Sequence, residues 1–315
     1  MSFTVVGTAT PSVAGTETEF NMTSDAWFAS GERVPVDGHT LFARASGTGP
    51  WLTFLHGFPT SSWDWSSVVP ALEPRCRCLC FDFLGFGDSD KPRRHRYSIG
   101  EQADLTEQLW EQYGIADTVL VGHDYGSTVA QELVARHNEG ALTATLGGAV
   151  LLNAAVYVEL ARPLLVQRLL VTPGLGALAA RAVGFRAFAR SFASIFSPAH
   201  PVEADDVREH WRVLGRRGGT APVAHRLSQY MRDRTTNASR WETALEETTV
   251  PLRFVWGMAD PRSGRHVAER IRERMPRSTL VALDDAGHYP QLEVPARVAD
   301  EIAAFGRQAG ATPNR

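Results

Sequence analysis

The stretch TVLVGHDYGSTVAQELVAR, residues 118–136, decides the fold of this chain. Its first four residues form an apolar run typical of a buried strand, and the residues from Thr128 onward have the pattern of a helix. Between them, small residues at positions 122, 126 and 127 allow a sharp turn that presents one side chain at its apex. That side chain is Asp124. The segment is therefore predicted to be a nucleophile elbow, a strand-turn-helix unit with the nucleophile at the turn.

The carboxylate at the apex determines which chemistry is expected. A serine in this place forms an acyl-enzyme from an ester or an amide, whereas an aspartate attacks an electrophilic sp3 carbon and becomes an alkyl ester itself. The alternative interpretation is that Asp124 only caps the N-terminus of the helix. The small residues on both sides favour the nucleophile, so the expected substrate is an epoxide or an alkyl halide rather than an ester.

Strands and helices alternate on both sides of the elbow. Short apolar runs predict strands at residues 33–45 (a pair around a turn at Asp37-Gly38), 51–55, 76–81, 149–152, 252–256 and 279–283. Helical periodicity covers residues 99–113, 267–274 and 298–305. This alternation predicts an α/β fold whose mostly parallel sheet is covered by helices on both faces.

The alternation breaks between residues 154 and 243, where leucine, alanine and arginine recur in helical patterns and no strand is evident. An insertion at this point of an open α/β sheet lies over the C-terminal ends of the strands, where ligands bind. We therefore expect a helical cap at 154–243 on a core made of 31–153 and 244–308. Residues 1–30 are expected to form a flexible lead-in and residues 309–315 a tail.

Composition argues against several classes of function. The chain has 315 residues and a formal net charge of -3, so its overall charge does not point to nucleic acid as a partner. The N-terminus lacks a basic region followed by an apolar run, and the apolar tract at 164–180 is broken by proline and glycine. These observations predict a cytoplasmic protein without a membrane partner, and they leave its oligomeric state open.

The cysteines, Cys76, Cys78 and Cys80, alternate within one predicted strand. Residues two apart on one strand are poorly placed for a disulfide, and zinc sites normally use wider spacings with ligands elsewhere. We therefore expect buried structural cysteines. We also expect an activity that uses neither a metal ion nor an organic cofactor.

Five motifs follow one another along the chain: HGFP at 56–59, DFLGFGDS at 82–89, GHDYGS at 122–127, GMADP at 257–261 and GHYP at 287–290. Over residues 33–308 their order resembles the α/β-hydrolase fold, within the branch of epoxide hydrolases and haloalkane dehalogenases. Residues 276–293 and 162–165 are also similar to the mesoderm-specific transcript proteins. The resemblance implies the α/β-hydrolase fold with an inserted cap.

His288 and Asp260 are the predicted partners of Asp124. His288 follows the last apolar strand, where an imidazole can deprotonate the water that attacks the Asp124 ester. The alternative is that it is only a polar loop residue. Asp260 follows an earlier strand and can accept a hydrogen bond from the imidazole, which holds its tautomer. Asp284 and Asp285 are alternatives to Asp260, but they lie so close to His288 in sequence that they reach behind its ring poorly.

The resemblance also implies an oxyanion hole and a substrate pocket. The backbone N–H groups of Phe58 and Tyr125 would hold the oxyanion during hydrolysis of the ester. The side chains expected to line the pocket are those of Phe58, Trp63, Tyr125 and Tyr289.

Opening an epoxide releases an alkoxide, and the family supplies its proton from tyrosines of the cap. Tyr230, in the run QYMR, matches the later cap tyrosine in position. The second donor is harder to assign. The candidates are Tyr157 and, more weakly, His200, His210 and His225.

The leading hypothesis is an epoxide hydrolase that adds water to a small hydrophobic epoxide and releases a vicinal diol. A haloalkane dehalogenase with the same nucleophile is the alternative. Such enzymes commonly hold the halide with an indole just after the nucleophile and with a second donor from an asparagine or another tryptophan. This chain has Tyr125 after the nucleophile and Phe58 where the asparagine often lies. The elbow helix has no arginine before Arg136 to hold the carboxylate of a haloacid. A non-catalytic binding protein on the same scaffold is a further alternative.

Overall fold

The computed structural model describes residues 22–310, with side chains through residue 307. Its strands are β1 (Glu32–Val36), β2 (His39–Gly47), β3 (Trp51–Leu55), β4 (Arg77–Phe81), β5 (Asp117–His123), β6 (Thr145–Leu152), β7 (Leu252–Gly257) and β8 (Thr279–Leu283). They form one sheet in the order β1-β2-β4-β3-β5-β6-β7-β8. The pairs β1–β2 and β2–β4 are antiparallel, and the remaining pairs are parallel. The predicted mostly parallel sheet is thereby confirmed.

The helices before the sixth strand are α1 (Ser24–Ala29), α2 (Val69–Leu72), α3 (Ile99–Tyr113) and α4 (Tyr125–Asn138). Between β6 and β7 follow α5 (Leu165–Leu170), α6 (Gly176–Ala182), α7 (Phe185–Ala193), α8 (Ala204–Leu214), α9 (Ala224–Leu227) and α10 (Tyr230–Glu247). The last three are α11 (Arg265–Arg274), α12 (Pro290–Glu293) and α13 (Pro295–Gly310). Short 3-10 helices occur at Ser62–Trp65, Val158–Leu160 and Arg216–Gly218.

Alternate residues of β5 enter two different apolar cores. Leu120 packs in the core that contains side chains of α3, α4 and α11, whereas Val119 and Val121 pack in the core that contains side chains of α2 and α13. Successive side chains of a strand point to opposite faces of its sheet. The central strand is therefore buried on both faces, which explains its continuous apolar run.

Helix α3 begins and ends where its local sequence predicts. The side chain of Ser98 accepts a hydrogen bond from the backbone N–H of Glu101, which caps the first turn. Gly114 follows the last turn with φ 64°, a left-handed conformation that glycine adopts without strain. The predicted bounds of this helix, and those of β3 and β8, are the observed ones.

The insertion between β6 and β7 contains helices and, within the part of the chain that the structure describes, no strand. The predicted boundary between residues 243 and 244 falls inside α10, which continues to Glu247. The insertion and the returning core segment therefore share one continuous helix.

The predicted flexible lead-in is corrected in its last part. Residues 1–21 lie outside the described residues, but residues 24–29 form α1, and Trp27 is fully buried. The indole N–H of Trp27 donates to the hydroxyl of Ser62 at 3.1 Å. A buried tryptophan with a satisfied N–H holds this helix on the core. The predicted tail is described only at 309–310, where it continues α13.

The cysteines are buried and unpaired, as predicted, with Cys78 and Cys80 in the interior of β4. Burial raises the pKa of both thiols, which keeps them protonated and unreactive.

Across residues 22–310, no helix combines the length and the apolar character that crossing a bilayer requires.

Candidate active site

Asp124 occupies the sharp turn between β5 and α4. Its φ and ψ angles are 47° and -107°, a conformation that L residues rarely adopt. Two glycines make room for this turn. A Cβ atom at Gly126 would lie 2.1 Å from the carbonyl oxygen of Leu55, and one at Gly122 would lie 3.0 Å from the Cα of Ser127. The small residues of the motif are thus required by close backbone packing.

The carboxylate of Asp124 does not cap α4. It makes no hydrogen bond to the first turn of that helix. Instead, Oδ2 accepts a hydrogen bond at 3.1 Å from the backbone N–H of Phe58, in the loop after β3. This geometry argues against the capping interpretation and brings together a carboxylate and a predicted oxyanion donor.

His288 and Asp260 form a buried hydrogen-bonded pair. Nδ1 of His288 lies 2.8 Å from Oδ2 of Asp260. Asp260 also accepts hydrogen bonds from the amide of Asn153 at 3.0 Å and from the hydroxyl of Ser263 at 2.6 Å. The backbone N–H of Arg262 donates to the other oxygen of Asp260 at 2.7 Å. Four donors on one buried carboxylate hold it in place and leave the Nε2 side of the imidazole for chemistry.

The pair shifts the pKa values of both its members. Burial works against charge on both groups, but the charge of His288 and the hydrogen bonds outweigh it and hold the pKa of Asp260 below its usual range. Burial likewise lowers the pKa of His288, but the charge of Asp260, its hydrogen bond and the charge of Asp124 raise it to about 9. In the resting protein His288 is therefore a cation, hydrogen-bonded to Asp260 and attracted by the charge of Asp124.

Asp284 and Asp285, the alternatives to Asp260 as the partner of His288, bind other side chains. Asp285 pairs with Arg297 at 2.7 Å and with His200 at 3.1 Å, and Asp284 pairs with Arg265 at 3.1 Å. Neither contacts the ring of His288, so Asp260 is the carboxylate that orients it.

A cavity of about 620 Å³ opens onto Asp124 and His288. Its floor includes Phe58 and Tyr289 from the core, two of the side chains expected to line a pocket. Its walls and roof come largely from residues 161–234 of the insertion, and most of these side chains are apolar. This arrangement suits an apolar ligand held over the nucleophile.

Tyr230 projects into the same cavity from the first turn of α10. Its ring lies 6.0 Å from that of Phe58 and 5.1 Å from that of Tyr125, and its hydroxyl accepts a hydrogen bond at 3.4 Å from the amide of Gln167. Burial raises the pKa of Tyr230, and the charge of Asp124 raises it further, whereas Arg234 opposes the shift. The phenol is thus a neutral donor that faces the nucleophile's end of the cavity.

Three predicted site residues lie outside the cavity lining. The hydroxyl of Tyr157 donates to Glu246 at 3.1 Å, away from Asp124, so Tyr157 is not placed to protonate a substrate. The indole N–H of Trp63 donates to the carbonyl oxygen of Met22 at 3.0 Å. The side chain of Tyr125 packs under the floor, in contact with Phe83 and Phe86. The candidate histidines do not line the cavity either: His200, His210 and His225.

Two positioning residues were missed in the sequence. Asn153 directly follows β6 and links Asp260 to β7, because its amide also donates to the carbonyl oxygen of Gly257 at 2.9 Å. Glu293 accepts backbone hydrogen bonds from Gly287 at 2.7 Å and from Tyr289 at 3.1 Å, on both sides of His288. A polar residue at the C-terminal end of a parallel strand was the available signal for Asn153.

One cluster of donor groups lies elsewhere. His39, His95 and Glu101 have ligand atoms within 4.8 Å of one another. Nε2 of His95 lies 2.6 Å from Oε1 of Glu101, and the ring of His39 packs edge-on against that of His95, so a hydrogen bond and a ring contact account for the cluster. None of the three lines the active-site cavity.

Comparison with known proteins identifies relatives over most of the chain. The model of the alpha/beta hydrolase fold family matches residues 50–295. LipZ of Mycobacterium tuberculosis, which is named as a hydrolase without a stated substrate, is 40% identical over 275 residues, or 87% of this chain and 94% of LipZ. The mesoderm-specific transcript protein of Mus musculus is 38% identical over 283 residues, or 86% of this chain and 84% of that protein. The predicted resemblance to the latter is confirmed.

Solved structures of the same fold include two with named activities. A loop variant of the haloalkane dehalogenase DbeA from Bradyrhizobium elkanii has a TM-score of 0.74 and 23% identity, covering 90% of this chain and 97% of that one. The epoxide hydrolase CorEH has a TM-score of 0.71 and 19% identity, covering 88% of this chain and 98% of that one. At these identities the likeness shows the fold alone.

Proposed function

The chain belongs to the alpha/beta hydrolase fold family, and we propose that it is an epoxide hydrolase that converts a hydrophobic epoxide to a vicinal diol. The observation that carries the proposal is a carboxylate, Asp124, at the apex of the elbow, facing one cavity together with Tyr230 and His288. A carboxylate can attack an sp3 carbon as a nucleophile. A neutral phenol can donate a proton to the epoxide oxygen as its bond to that carbon breaks.

The first step opens the ring. One carboxylate oxygen of Asp124 forms a bond to an epoxide carbon, and the bond from that carbon to the epoxide oxygen breaks. The electron pair passes to the oxygen, which takes a proton from the hydroxyl of Tyr230. The products are an alkyl ester on Asp124 with a hydroxyl on the neighbouring carbon, and a phenolate that solvent reprotonates. Oδ2, which is held by the N–H of Phe58 at 3.1 Å, becomes the carbonyl oxygen of the ester.

Esterification also prepares the second step. The charge of Asp124 contributes to the raised pKa of His288, and the ester carries no charge. The pKa of His288 therefore falls when the ester forms, which increases the fraction of neutral imidazole that can act as a base. Neutral His288 takes a proton from water as the oxygen adds to the ester carbonyl. The proposed backbone donors, Phe58 and Tyr125, hold the oxyanion. The ester C–O bond then breaks, His288 returns the proton to the leaving oxygen, and the diol departs.

A haloalkane dehalogenase is the second candidate. The observation in its favour is that an indole, Trp211, lines the cavity. It is less favoured because Tyr125 follows the nucleophile and the indole N–H of Trp63 is bound to Met22, outside the cavity. A non-catalytic binding protein is the third candidate, and the same experiment tests all three.

The test is to trap the ester. The His288→Gln variant lacks the base and accumulates the alkyl-enzyme, so exposure to 1,2-epoxydecane is expected to add the mass of the whole epoxide at Asp124 in peptide mass spectrometry. Exposure to 1-bromodecane adds only the alkyl group if the protein is a dehalogenase.

The matched control is His288→Gln combined with Asp124→Ala, which removes the nucleophile and is expected to give no adduct with either compound. An adduct from bromodecane alone assigns dehalogenase activity in place of epoxide hydrolysis. If neither compound labels Asp124 across a series of chain lengths, the enzymatic proposal is wrong and the binding-protein alternative stands.

A further inference from the structure

The lining of the active-site cavity is strongly unbalanced in charge. It contains four arginines and a single carboxylate, that of Asp124; the arginines are Arg162, Arg181, Arg234 and Arg262. None of the four forms an ion pair with a carboxylate among the residues that the structure describes. Elsewhere the protein pairs its arginines freely: Arg136, for example, contacts three carboxylates.

Arg234 is the informative member of this set. It is 8% exposed, and the two other arginines buried to this degree are Arg44 and Arg253. Arg44 pairs with Glu73 at 2.8 Å, and Arg253 pairs with Glu301 at 2.8 Å. Nη2 of Arg234 donates a hydrogen bond to the carbonyl oxygen of Ala155. The guanidinium also interacts with the hydroxyl of Tyr230 and with the charge of Glu242, but it forms no ion pair with a carboxylate among the described residues. A buried guanidinium that lacks a carboxylate partner is unfavourable unless a ligand supplies the opposite charge.

Arg234 lies close to Tyr230, the proposed proton donor of the reaction. It lies one helical turn after Tyr230 on α10, so both side chains project from the same face of the helix. Its Cζ atom lies 6.0 Å from the centroid of the Tyr230 ring. An anionic group at Arg234 would therefore sit in the same cavity as the group that protonates the opening epoxide.

We propose that Arg234 binds a carboxylate of the substrate, so that the protein acts on an electrophile carried by an apolar chain with one carboxylate end. The planar guanidinium presents paired N–H donors that match the two oxygens of a carboxylate. The surrounding lining is apolar, with Leu170, Phe188 and Phe192 among its members. Arg162, Arg181 and Arg262 add positive charge to the same cavity and attract the anion to it. The identity of the electrophile rests on the proposed function, whereas recognition of the carboxylate does not.

The first test measures binding without chemistry. In the Asp124→Asn protein, which is not expected to react, calorimetry with decanoate and with decanol separates the anionic group from the chain. Decanoate is expected to bind at least tenfold more tightly than decanol. Adding Arg234→Met is expected to weaken decanoate binding at least tenfold and to change decanol binding less than twofold.

Arg232→Met is the matched control, because Arg232 lies on the same helix but is exposed and outside the cavity lining. It should change decanoate binding less than twofold. Arg234→Lys, which keeps the charge, should restore part of the affinity that Arg234→Met loses. The comparison of the two ligands in Asp124→Asn needs no change at Arg234, so it can still contradict the proposal if the Met variant fails to fold. Equal or tighter binding of decanol overturns the proposal.

The second test separates this inference from the proposed function. In the His288→Gln protein, 9,10-epoxydecanoate is expected to label Asp124 at least tenfold faster than its methyl ester does. Equal rates for the acid and the ester would leave epoxide hydrolysis intact and contradict the role of Arg234. Labelling by neither compound, together with tight decanoate binding, would contradict epoxide hydrolysis and keep the anion site.

Discussion

At the scale of single residues, one hydroxyl group distinguishes the two candidate reactions. An epoxide oxygen needs a proton as its bond to carbon breaks, whereas bromide leaves as a stable anion. Tyr230 faces the nucleophile's end of the cavity, and burial raises its pKa, so it stays protonated at neutral pH. Removing its hydroxyl should therefore affect one class of electrophile and spare the other.

We predict that Tyr230→Phe slows alkylation of Asp124 by epoxides about 10²- to 10⁴-fold, the usual contribution of a general acid. Alkylation by 1-bromodecane, if it occurs, should change by a small factor only, because no proton is transferred. The measurement is the rate of adduct formation in the His288→Gln protein, followed by mass spectrometry.

Tyr157→Phe is the control, because the Tyr157 hydroxyl is bound to Glu246 outside the cavity. It should leave epoxide alkylation unchanged. An equal loss with both electrophiles in Tyr230→Phe would mean that Tyr230 shapes the cavity rather than supplying a proton. A large loss in Tyr157→Phe would contradict the placement of that residue.

At the scale of secondary-structure elements, the site depends on how closely α4 approaches the end of β3. Gly126 lies in the first turn of α4, and the backbone of Leu55, the last residue of β3, occupies the space where a side chain would begin. The next loop residues carry the N–H of Phe58 to the carboxylate of Asp124. A wider separation of helix and strand would lengthen that contact.

We predict that Gly126→Ala destabilises the protein by about 2–3 kcal/mol, because an inserted methyl group meets backbone that cannot move aside. Chemical denaturation measures the free energy of unfolding. Gly184→Ala is the control: its φ is negative and a Cβ there meets nothing within 4 Å, so its effect should be small. A Gly126→Ala protein as stable as the control would contradict the close packing of α4 on β3.

The loop that carries His288 is held by both parts of the chain. The N–H of His288 donates to the carbonyl oxygen of Ile195 in the insertion at 2.9 Å, and His123 of β5 donates to the carbonyl oxygen of His288 at 2.8 Å. Glu293, which holds the residues on either side of His288, also accepts from the N–H of Ser197 at 2.9 Å. The position of the proposed base thus depends on where the insertion sits.

At the scale of the whole molecule, the buried charges couple stability to pH. The folded pKa of His288, about 9, lies above its unfolded value of 6.5, so its contribution is fully present below pH 6.5 and is lost as the pH rises through 9. Burial lowers the pKa of Lys91 to about 8, although nearby carboxylates oppose this shift, and its contribution therefore increases with pH above 8. The effect of His288 is best separated from that of Lys91 between pH 6.5 and 8.

We predict that the free energy of unfolding of the wild type, relative to that of His288→Gln, falls by about 1–2 kcal/mol between pH 6.5 and pH 8.0. Urea denaturation of both proteins at the two pH values measures it. Taking the difference cancels groups common to both, such as Lys91. A difference that stays constant or grows with pH would contradict a cationic His288 in the resting protein.

Local sequence was sufficient for most of the strands and helices and for the placement of Asp124, Asp260 and His288. The elbow was predictable because a strand, a turn of small residues and a helix are all encoded within residues 118–136. Asp260 and His288 were predictable because each follows a parallel strand, and the C-terminal ends of such strands meet at one edge of the sheet. Helix α1 was not predictable from the sequence. A helix of this length is stabilised by the burial of Trp27 and not by the helix propensity of its residues.

The sequence by itself therefore determined the α/β sheet, the helical insertion and the apposition of Asp124, His288 and Asp260, because these follow from local periodicity and chain order. Only the tertiary structure decided which side chains of the insertion face the cavity. It turned Tyr157 toward Glu246, kept Tyr230 over the floor, and buried Arg234 in the wall without a carboxylate partner among the described residues. The physical reason is that the direction of a side chain on a packed helix depends on contacts with residues far away in the chain, which no local pattern records.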